Sequence, residues 1–204
     1  EKNKCLVISD EIWSDLTLEG HKHIPTQSVN EYAHEHTFAF YAPSKTFNLA
    51  GLVGSYHIVY NSYLRDRLME AEKCSHYNSA NVLSISALMG AYTKEGAEWV
   101  DELREVLTQN VDYAYTYITT HFEGVSVAKA QGTYMLYLDC SGWLKAHPEM
   151  TMDDLIRAGI AVGVVWQDGR PFMNPNTIRM NLAVPHALVK EAMDRLDKYV
   201  FNAK

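Results

Sequence analysis

Short apolar runs bounded by polar or turn-forming residues dominate the first sixty positions. Such runs are typical of strands that are covered on both faces of a sheet. They predict strands at 4–9, 37–42 and 53–60, with a long polar loop over 10–36. Parallel strands of this kind would end side by side at one edge of the sheet, where ligands of open α/β sheets gather.

Helical patterns follow these strands. Asn61 and Ser79 can cap helices over 62–74 and 80–94. A longer helix is predicted over 96–122, and its length suits a bridge between two domains. Its apolar stripe repeats at three- and four-residue steps through Trp99, Leu103, Val106, Leu107, Ala114 and Ile118.

The remaining residues alternate between strand and helix patterns. The predicted elements are strands at 125–129 and 133–139, a helix over 152–158 begun by Thr151, strands at 161–166 and 177–183, and a helix at 186–201. Strands interleaved with helices predict a small α/β domain. We therefore divide the chain into 1–95, the helix 96–122, and 123–204.

Composition narrows the possible partners. A net charge of −7 argues against nucleic acid, which is bound by clustered Lys and Arg. No apolar run approaches the roughly 20 residues that span a bilayer, so no membrane segment is expected. Three cysteines without a CxxC pair disfavour a disulfide framework or a zinc site and favour a reducing cytoplasm.

Lys45 and Asp10 are the main candidates for chemistry. Lys45 stands between a strand and the turn Leu49-Ala50-Gly51, and Asp10 stands at the end of the preceding apolar run. A lysine there can offer its amine to a carbonyl ligand, as Schiff-base enzymes require. Pyridoxal phosphate (PLP) needs both groups in one pocket. The lysine holds its aldehyde as an imine, and the aspartate keeps its pyridine nitrogen protonated.

At these residues the chain resembles the class I/II aminotransferases, which are fold-type I PLP enzymes, and within them the cystathionine β-lyase branch of carbon–sulfur lyases. The matching stretches occur in the family's order across the chain and are 9–16, 23–25, 42–51, 132–134 and 178–183. The resemblance implies the end of the large-domain sheet in 1–95, an interdomain helix in 96–122 and a small C-terminal α/β domain in 123–204. It covers only the latter half of a family member, so we expect a fragment whose missing half carries the glycine-rich phosphate turn. Family members are typically homodimers, so a homodimer is also implied.

The resemblance also assigns roles to cofactor residues. Lys45 would hold PLP as an imine and move the substrate's α-proton. Asp10 would pair with the pyridinium nitrogen, although by local sequence Glu11 could serve equally. Ile12 would pack against the ring, or be a core residue, and Ser44 would bind the phosphate or stabilise the turn.

Three positions depart from the aminotransferase pattern. Trp13 stands where many aminotransferases have a tyrosine, and an indole N–H donates a hydrogen bond but accepts none. Ala42 and Val53 replace a serine and an arginine that bind the phosphate. These departures tilt the interpretation toward the lyase branch.

Arg179 is the candidate substrate residue. Ile178, Met180 and Leu182 alternate with Arg179 and Asn181, which is the period of a strand. The planar guanidinium of Arg179 can hold an α-carboxylate through two parallel hydrogen bonds, and the resemblance implies the same role. The structural alternative is a strand arginine that pairs with an acid.

Other motifs favour structure over chemistry. The HxH pairs at 21–23 and 34–36 lie in a polar loop without a third ligand nearby, so no metal site is expected. Gly132 and Tyr134 resemble a stretch near the substrate entrance, but packing explains them equally well.

Three functions remain open from the sequence. The first is PLP-dependent β-elimination on cystathionine or cysteine-like amino acids, which yields a thiol, pyruvate and ammonia. The second is an aminotransferase acting on a hydrophobic or aromatic amino acid through the same Lys45. The third is a non-catalytic PLP-fold remnant that serves as an interaction domain.

Overall fold

The computed structural model describes residues 1–75 and 80–203. It forms two compact units, Glu1–Leu103 and Arg104–Lys204, which divide inside the long helix. In the described part of the chain, no helix is both long and apolar enough to cross a membrane.

A three-stranded sheet organises the first unit. Its strands are β1 (Val7–Asp10), β2 (Thr37–Tyr41) and β3 (Tyr56–Ile58), in that order. β1 and β2 run parallel with Asp10 opposite Phe40, so the predicted parallel pair is confirmed. β3 pairs antiparallel with β2 and is shorter than the predicted 53–60, because Val53 takes a left-handed conformation that ends the preceding turn.

Helices surround this sheet. They are α1 (Glu31–His36), α2 (Pro43–Thr46), α3 (Ser62–Ser75), α4 (Val82–Ala91) and the first part of α5 (Lys94–His121), with 3₁₀ turns at Thr26–Ser28 and Ala50–Leu52. Asn61 caps α3 as predicted, since its Oδ1 accepts a hydrogen bond from Leu64 N at 3.1 Å. The predicted cap Ser79 lies outside the described residues, and Asn81 caps α4 through Ser84 N at 2.9 Å.

The prediction of an unbroken loop over 10–36 is wrong, because it contains α1. Asn30 caps this helix by accepting a hydrogen bond from Ala33 N at 2.8 Å. Within it, Tyr32 and His36 stack at 3.8 Å between ring centres. A six-residue helix stabilised by a cap and a stacked pair has too few apolar positions to show a helical period.

A four-stranded antiparallel sheet organises the second unit, in the order β4 (Ser126–Val127), β5 (Met135–Asp139), β7 (Thr177–Asn181) and β6 (Gln167–Asp168). Its helices are the rest of α5, α6 (Ser141–Ala146), α7 (Met152–Ala161) and α8 (His186–Leu196), which continues as a π-helical turn over Asp197–Phe201. Thr151 begins α7 through a capping box with Asp154, as predicted.

One expectation for this unit is wrong, and one helix was not predicted. The strand predicted at 161–166 is instead the end of α7 and a turn, because the ring of Trp166 lies so close to Gly159 of α7 that a Cβ there would meet it at 2.4 Å. Trp166 therefore packs on the helix, whereas Val165 is 82% exposed. α6 was not expected, since its six residues show no clear period.

The core of the second unit lies between the sheet and the helices. The buried side chains come from α5, β5, β7 and α8, and include Leu107, Val111, Ala114, Ile118, Leu136, Leu138, Ile178, Met180, Val189, Met193 and Leu196. The predicted stripe on α5 is thus buried from Leu107 onward, whereas Trp99 and Val106 are 47% and 44% exposed. Asn110 is fully buried, and its Nδ2 donates to Leu182 O at 2.9 Å and Val184 O at 2.8 Å.

Candidate active site

Lys45 lies on α2, the short helix that follows β2. Pro43 begins this helix, and its fixed φ suits a first helical position. The next residue after the lysine, Thr46, is buried and donates from Oγ1 to Asp15 Oδ2 at 2.9 Å. Phe47 stacks on Trp99 at 5.8 Å between ring centres. The backbone around Lys45 is therefore held from both sides of the residue.

Lys45 is half-buried and lies beside an aromatic ring. Its Nζ lies 5.7 Å from the centre of the Trp13 ring, within the range of a cation–π contact. Among residues 1–75 and 80–203, no carboxylate lies within salt-bridge distance of it. The amine is therefore not tied to a carboxylate of the described chain, which leaves it available to a carbonyl ligand.

Asp10 is the last residue of β1 and is exposed. Its Oδ1 accepts a hydrogen bond from Ile12 N at 3.2 Å, and within the described ranges it pairs with no cation. The parallel register brings the carboxyl ends of β1 and β2 to one edge of the sheet, and α2 follows β2 after a single residue. Asp10 therefore keeps its charge available to a ligand at that edge.

Glu11, which by local sequence could have taken the place of Asp10 at the ring nitrogen, has a structural role instead. It is 4% exposed, and its two carboxylate oxygens meet four groups. Oε1 accepts from Ser9 Oγ and from Thr26 N, both at 3.0 Å. Oε2 accepts from Tyr41 Oη at 2.9 Å and lies 2.7 Å from His23 Nε2. The structure thus separates the two acids: Glu11 joins β1, β2 and the following loop, and Asp10 remains free of such bonds.

The pKa shifts of Glu11 and Tyr41 agree with a structural role for Glu11. Burial by itself would raise the pKa of Glu11, but the hydrogen bonds from His23, Thr26, Tyr41 and Ser9 outweigh it and lower the pKa below its usual value. Burial and the neighbouring Glu11 carboxylate raise the pKa of Tyr41. Glu11 is therefore ionised and Tyr41 neutral at pH 7.

The other predicted cofactor residues lie near the same sheet edge. Ile12 and Trp13 follow Asp10 and are partly buried, and Ser44 precedes Lys45 on α2. Ser44 Oγ makes no hydrogen bond to the described residues, so its hydroxyl is available to a ligand. Ala42 is buried, whereas Val53 is 86% exposed with φ 52° and ψ 46°. Their side chains offer no donor to a phosphate.

Arg179 lies in the second unit, on the central strand β7. The predicted alternation is confirmed, since Ile178 and Met180 are buried while Arg179 lies on the opposite face. Its strand neighbours are Tyr137 of β5 and Gln167 of β6. Its guanidinium carbon lies 4.9 Å from the centre of the Phe172 ring, and no acid of the described chain forms a salt bridge with it. The structural alternative, a strand arginine paired with an acid, therefore has no such partner among the described residues, and the substrate role of Arg179 stays a prediction.

Tyr134 of the Gly132–Tyr134 motif is also close to this arginine. Burial raises the pKa of Tyr134, while the positive charge of Arg179 opposes the rise. Both residues belong to the second unit.

The histidine pairs have structural partners. His23 contacts Glu11, and His34 stacks on Tyr60 at 4.0 Å between ring centres. One ligand atom each of Glu31, His34 and Glu35 lies within 4.8 Å of the others on α1, an arrangement that surface acids commonly form without an ion.

Two features of the site escaped sequence reasoning. The Glu11 cluster needs Thr26 and Tyr41, which are 15 and 30 positions away. The position of Phe172 against Arg179 depends on the loop between β6 and β7. In both cases only the folded backbone brings the residues together, and the sole sequence signal was the glutamate beside Asp10.

Curated relatives include three proteins of similar sequence. Cystathionine beta-lyase PatB of Bacillus subtilis is 34% identical over 137 residues, which are 67% of this chain and 35% of PatB. Protein MalY of Escherichia coli is 34% identical over 140 residues, which are 68% of this chain and 35% of MalY. Aspartate aminotransferase of Bacillus sp. is 24% identical over 98% of this chain and 50% of that enzyme.

Solved structures share the fold. A PLP-bound putative aminotransferase from Clostridium difficile superimposes with a TM-score of 0.84 at 31% identity, over 96% of this chain and 50% of that one. Cystalysin from Treponema denticola, whose crystals contain PLP, has a TM-score of 0.84 at 27% identity, over 98% of this chain and 50% of that one. The chain thus spans at most about half the length of these relatives.

A family model, aminotransferase class I and II, matches residues 1–196. With the fold, the strand-end lysine and aspartate, and these relatives in agreement, the chain belongs to the class I and II aminotransferase family.

Proposed function

We propose that the chain is part of a PLP-dependent carbon–sulfur β-lyase that acts on cystathionine or cysteine-like amino acids. In the proposed reaction the substrate C–S bond is broken, and with one water the products are a thiol, pyruvate and ammonia. The observation that carries the proposal concerns Asp10, which ends β1, and Lys45, which follows the adjacent parallel strand β2. Among the described residues, neither side chain forms an ion pair.

The residues present fit the cofactor. An amine without a counter-ion suits an aldehyde, and a carboxylate without a cation suits a protonated ring nitrogen. PLP, when bound, supplies an electron sink for negative charge at the substrate's Cα. Ser44 offers a free hydroxyl to its phosphate, and Ile12 offers an apolar side chain to its ring.

Each residue then has a distinct task. Lys45 Nζ would take the proton from the substrate's Cα, as a general base, and give a proton to the departing sulfur, as an acid. Asp10 would hold the ring nitrogen protonated, since an adjacent anion favours the charged form. Arg179 would bind the α-carboxylate, and its lack of an acidic partner in the described chain leaves its N–H groups available.

Trp13 favours a lyase over an aminotransferase. Its indole contacts Lys45 and can only donate a hydrogen bond, in contrast to the tyrosine hydroxyl of many aminotransferases. A relative named as a cystathionine beta-lyase at 34% identity also supports this choice. The alternative is PLP-dependent transamination, which relatives named as aminotransferases support.

One comparison separates the two activities. The full-length enzyme is incubated with cystathionine, and pyruvate release is measured against amino-group transfer to an added keto acid. Keto-acid-independent pyruvate is the expected product. Dominant transfer to the keto acid would reject the lyase assignment in favour of the aminotransferase.

We further propose a cytoplasmic homodimer in which 1–95 belongs to the cofactor-binding domain, 96–122 is the interdomain helix and 123–204 is the small domain. Cys5, Cys74 and Cys140 are free thiols, which suits a reducing compartment. Light scattering of the full-length protein tests the dimer, and a monomeric mass at micromolar concentration would reject it.

A further inference from the structure

Phe172 has an unusual relation to the arginine of the second unit. The Arg179 guanidinium carbon lies 4.9 Å from the centre of the Phe172 ring, although seven positions separate the residues. A guanidinium that rests on an aromatic ring keeps the N–H groups at its edge free for a planar anion. The ring is 44% exposed, so hydrophobic burial does not explain its position fully.

The segment that carries Phe172 is fastened on one side by Arg170. Within the 3₁₀ turn Arg170–Phe172, Arg170 N donates to Asp168 Oδ1 at 2.9 Å and Arg170 Nε to Asp168 Oδ2 at 2.7 Å. Arg170 Nη2 also donates to Asp153 Oδ1 at 2.6 Å, in the first turn of α7. One side chain thus joins the turn to β6 and to α7.

The same segment is fastened on the other side by Thr177 of β7. Gly169 N donates to Thr177 O at 2.8 Å, and Thr177 Oγ1 donates to Tyr137 Oη at 2.7 Å. A side chain at Gly169 would meet Thr177 Oγ1 at 1.9 Å, so only glycine allows this approach. The loop therefore has little freedom to move Phe172 away from Arg179.

We propose that Phe172 is a positioning residue that holds the Arg179 guanidinium in the orientation that binds the substrate's α-carboxylate, with Arg170 fixing the loop that presents it. The inference rests on the proposed function of Arg179 and deepens it. Phe172 acts through the arginine, so its contribution is specific to ligands that carry a carboxylate.

The test measures binding of two unreactive competitors to the full-length PLP-loaded enzyme by calorimetry. One is 3-(methylthio)propanoate, and the other is its uncharged amide. Phe172→Leu is expected to weaken the carboxylate by about 3- to 30-fold, the range of a cation–π contact, and to leave the amide unchanged. Phe172→Tyr retains the aromatic ring and is expected to bind the carboxylate as tightly as the wild type does.

A matched control removes a different cation–π pair from the same unit. Lys198 Nζ lies 4.9 Å from the centre of the Tyr199 ring. Tyr199→Leu is therefore expected to leave both affinities unchanged. Equal weakening of both competitors by Phe172→Leu would indicate a general structural effect and overturn the inference.

Variants built on Arg179→Gln distinguish failure of the inference from failure of the proposed function. In an Arg179→Gln enzyme, which is expected to bind the carboxylate weakly, adding Phe172→Leu should have no further effect. Unchanged carboxylate binding in Arg179→Gln alone would reject the role of Arg179, and the inference with it. Weakening by Arg179→Gln but none by Phe172→Leu would reject the inference alone.

Should Phe172→Leu fail to fold, Arg170→Gln provides the same test, since it loosens the loop and leaves the ring in place. It is expected to weaken the carboxylate competitor selectively and to a smaller extent. No selectivity between the two competitors would overturn the inference.

Discussion

Glu11 provides a quantitative test of how the sheet edge is held. The perturbation is Glu11→Gln, which keeps the shape of the side chain and removes its charge. In the best amide orientation, the remaining oxygen faces Ser9 Oγ and Thr26 N, the latter of which can only donate. The amide nitrogen then faces Tyr41 and His23, which would have to change from donor to acceptor.

The expected cost follows from these contacts. Hydrogen bonds to charged groups contribute about 1.5–3 kcal/mol and neutral ones about 1, so weakening several in one shared cluster should lower the free energy of unfolding by about 2–3 kcal/mol. Equilibrium denaturation of the full-length enzyme in urea measures this difference. Glu102→Gln changes an exposed glutamate in the same unit and is expected to alter stability little.

The same variant predicts a pH dependence. Because the folded pKa of Glu11 lies below its ordinary value of 4.5, the stability it contributes is fully present above pH 4.5 and is lost as the pH falls through the folded pKa. The stability difference between wild type and Glu11→Gln should therefore narrow below pH 4.5. A cost below about 0.5 kcal/mol at pH 7, or a difference that widens in acid, would refute this reasoning.

The remaining predictions concern three other positions. Asp10→Asn is expected to lower kcat by about tenfold or more and to leave the melting temperature unchanged. The reason is that a drop of one unit in the pKa of the ring nitrogen corresponds to about 1.4 kcal/mol. Steady-state kinetics measure the change, and a kcat equal to that of the wild type would contradict it. Val53→Asn should raise the free energy of unfolding by about 1 kcal/mol, because a β-branched residue is strained at φ 52°. Val53→Ile keeps the branched side chain and should give no gain in the same urea titration. Asn110→Ala should lower the free energy of unfolding by about 2–4 kcal/mol, since the buried Leu182 carbonyl and the partly buried Val184 carbonyl lose their donor. A cost within about 0.5 kcal/mol of zero would show that water replaces the amide.

Much of the first sheet could be predicted from local patterns. Apolar runs ending at Asp10 and Tyr41 indicated β1 and β2, and the rule that ligands gather at strand ends indicated their chemical use. The alternation around Arg179 predicted in the same way that it lies opposite the buried Ile178 and Met180, because strand periodicity is a property of neighbouring residues.

Elements set by distant contacts could not be predicted so well. α1 depends on its cap and an internal stacked pair, and the end of α7 depends on Trp166 packing over Gly159. The choice of Asp10 over Glu11 likewise needed the positions of Thr26 and Tyr41. Such contacts leave no periodic signal in the sequence, since residues far apart in the chain form them.

The central claim is that the Lys45 amine carries the cofactor. The full-length protein is loaded with PLP, reduced with borohydride and digested, and its peptides are weighed by mass spectrometry. We predict a single phosphopyridoxyl group on the peptide that contains Lys45, lost in Lys45→Ala. A stable adduct on a different lysine, or none on the loaded wild-type protein, would contradict the account and favour a non-catalytic role for this fold.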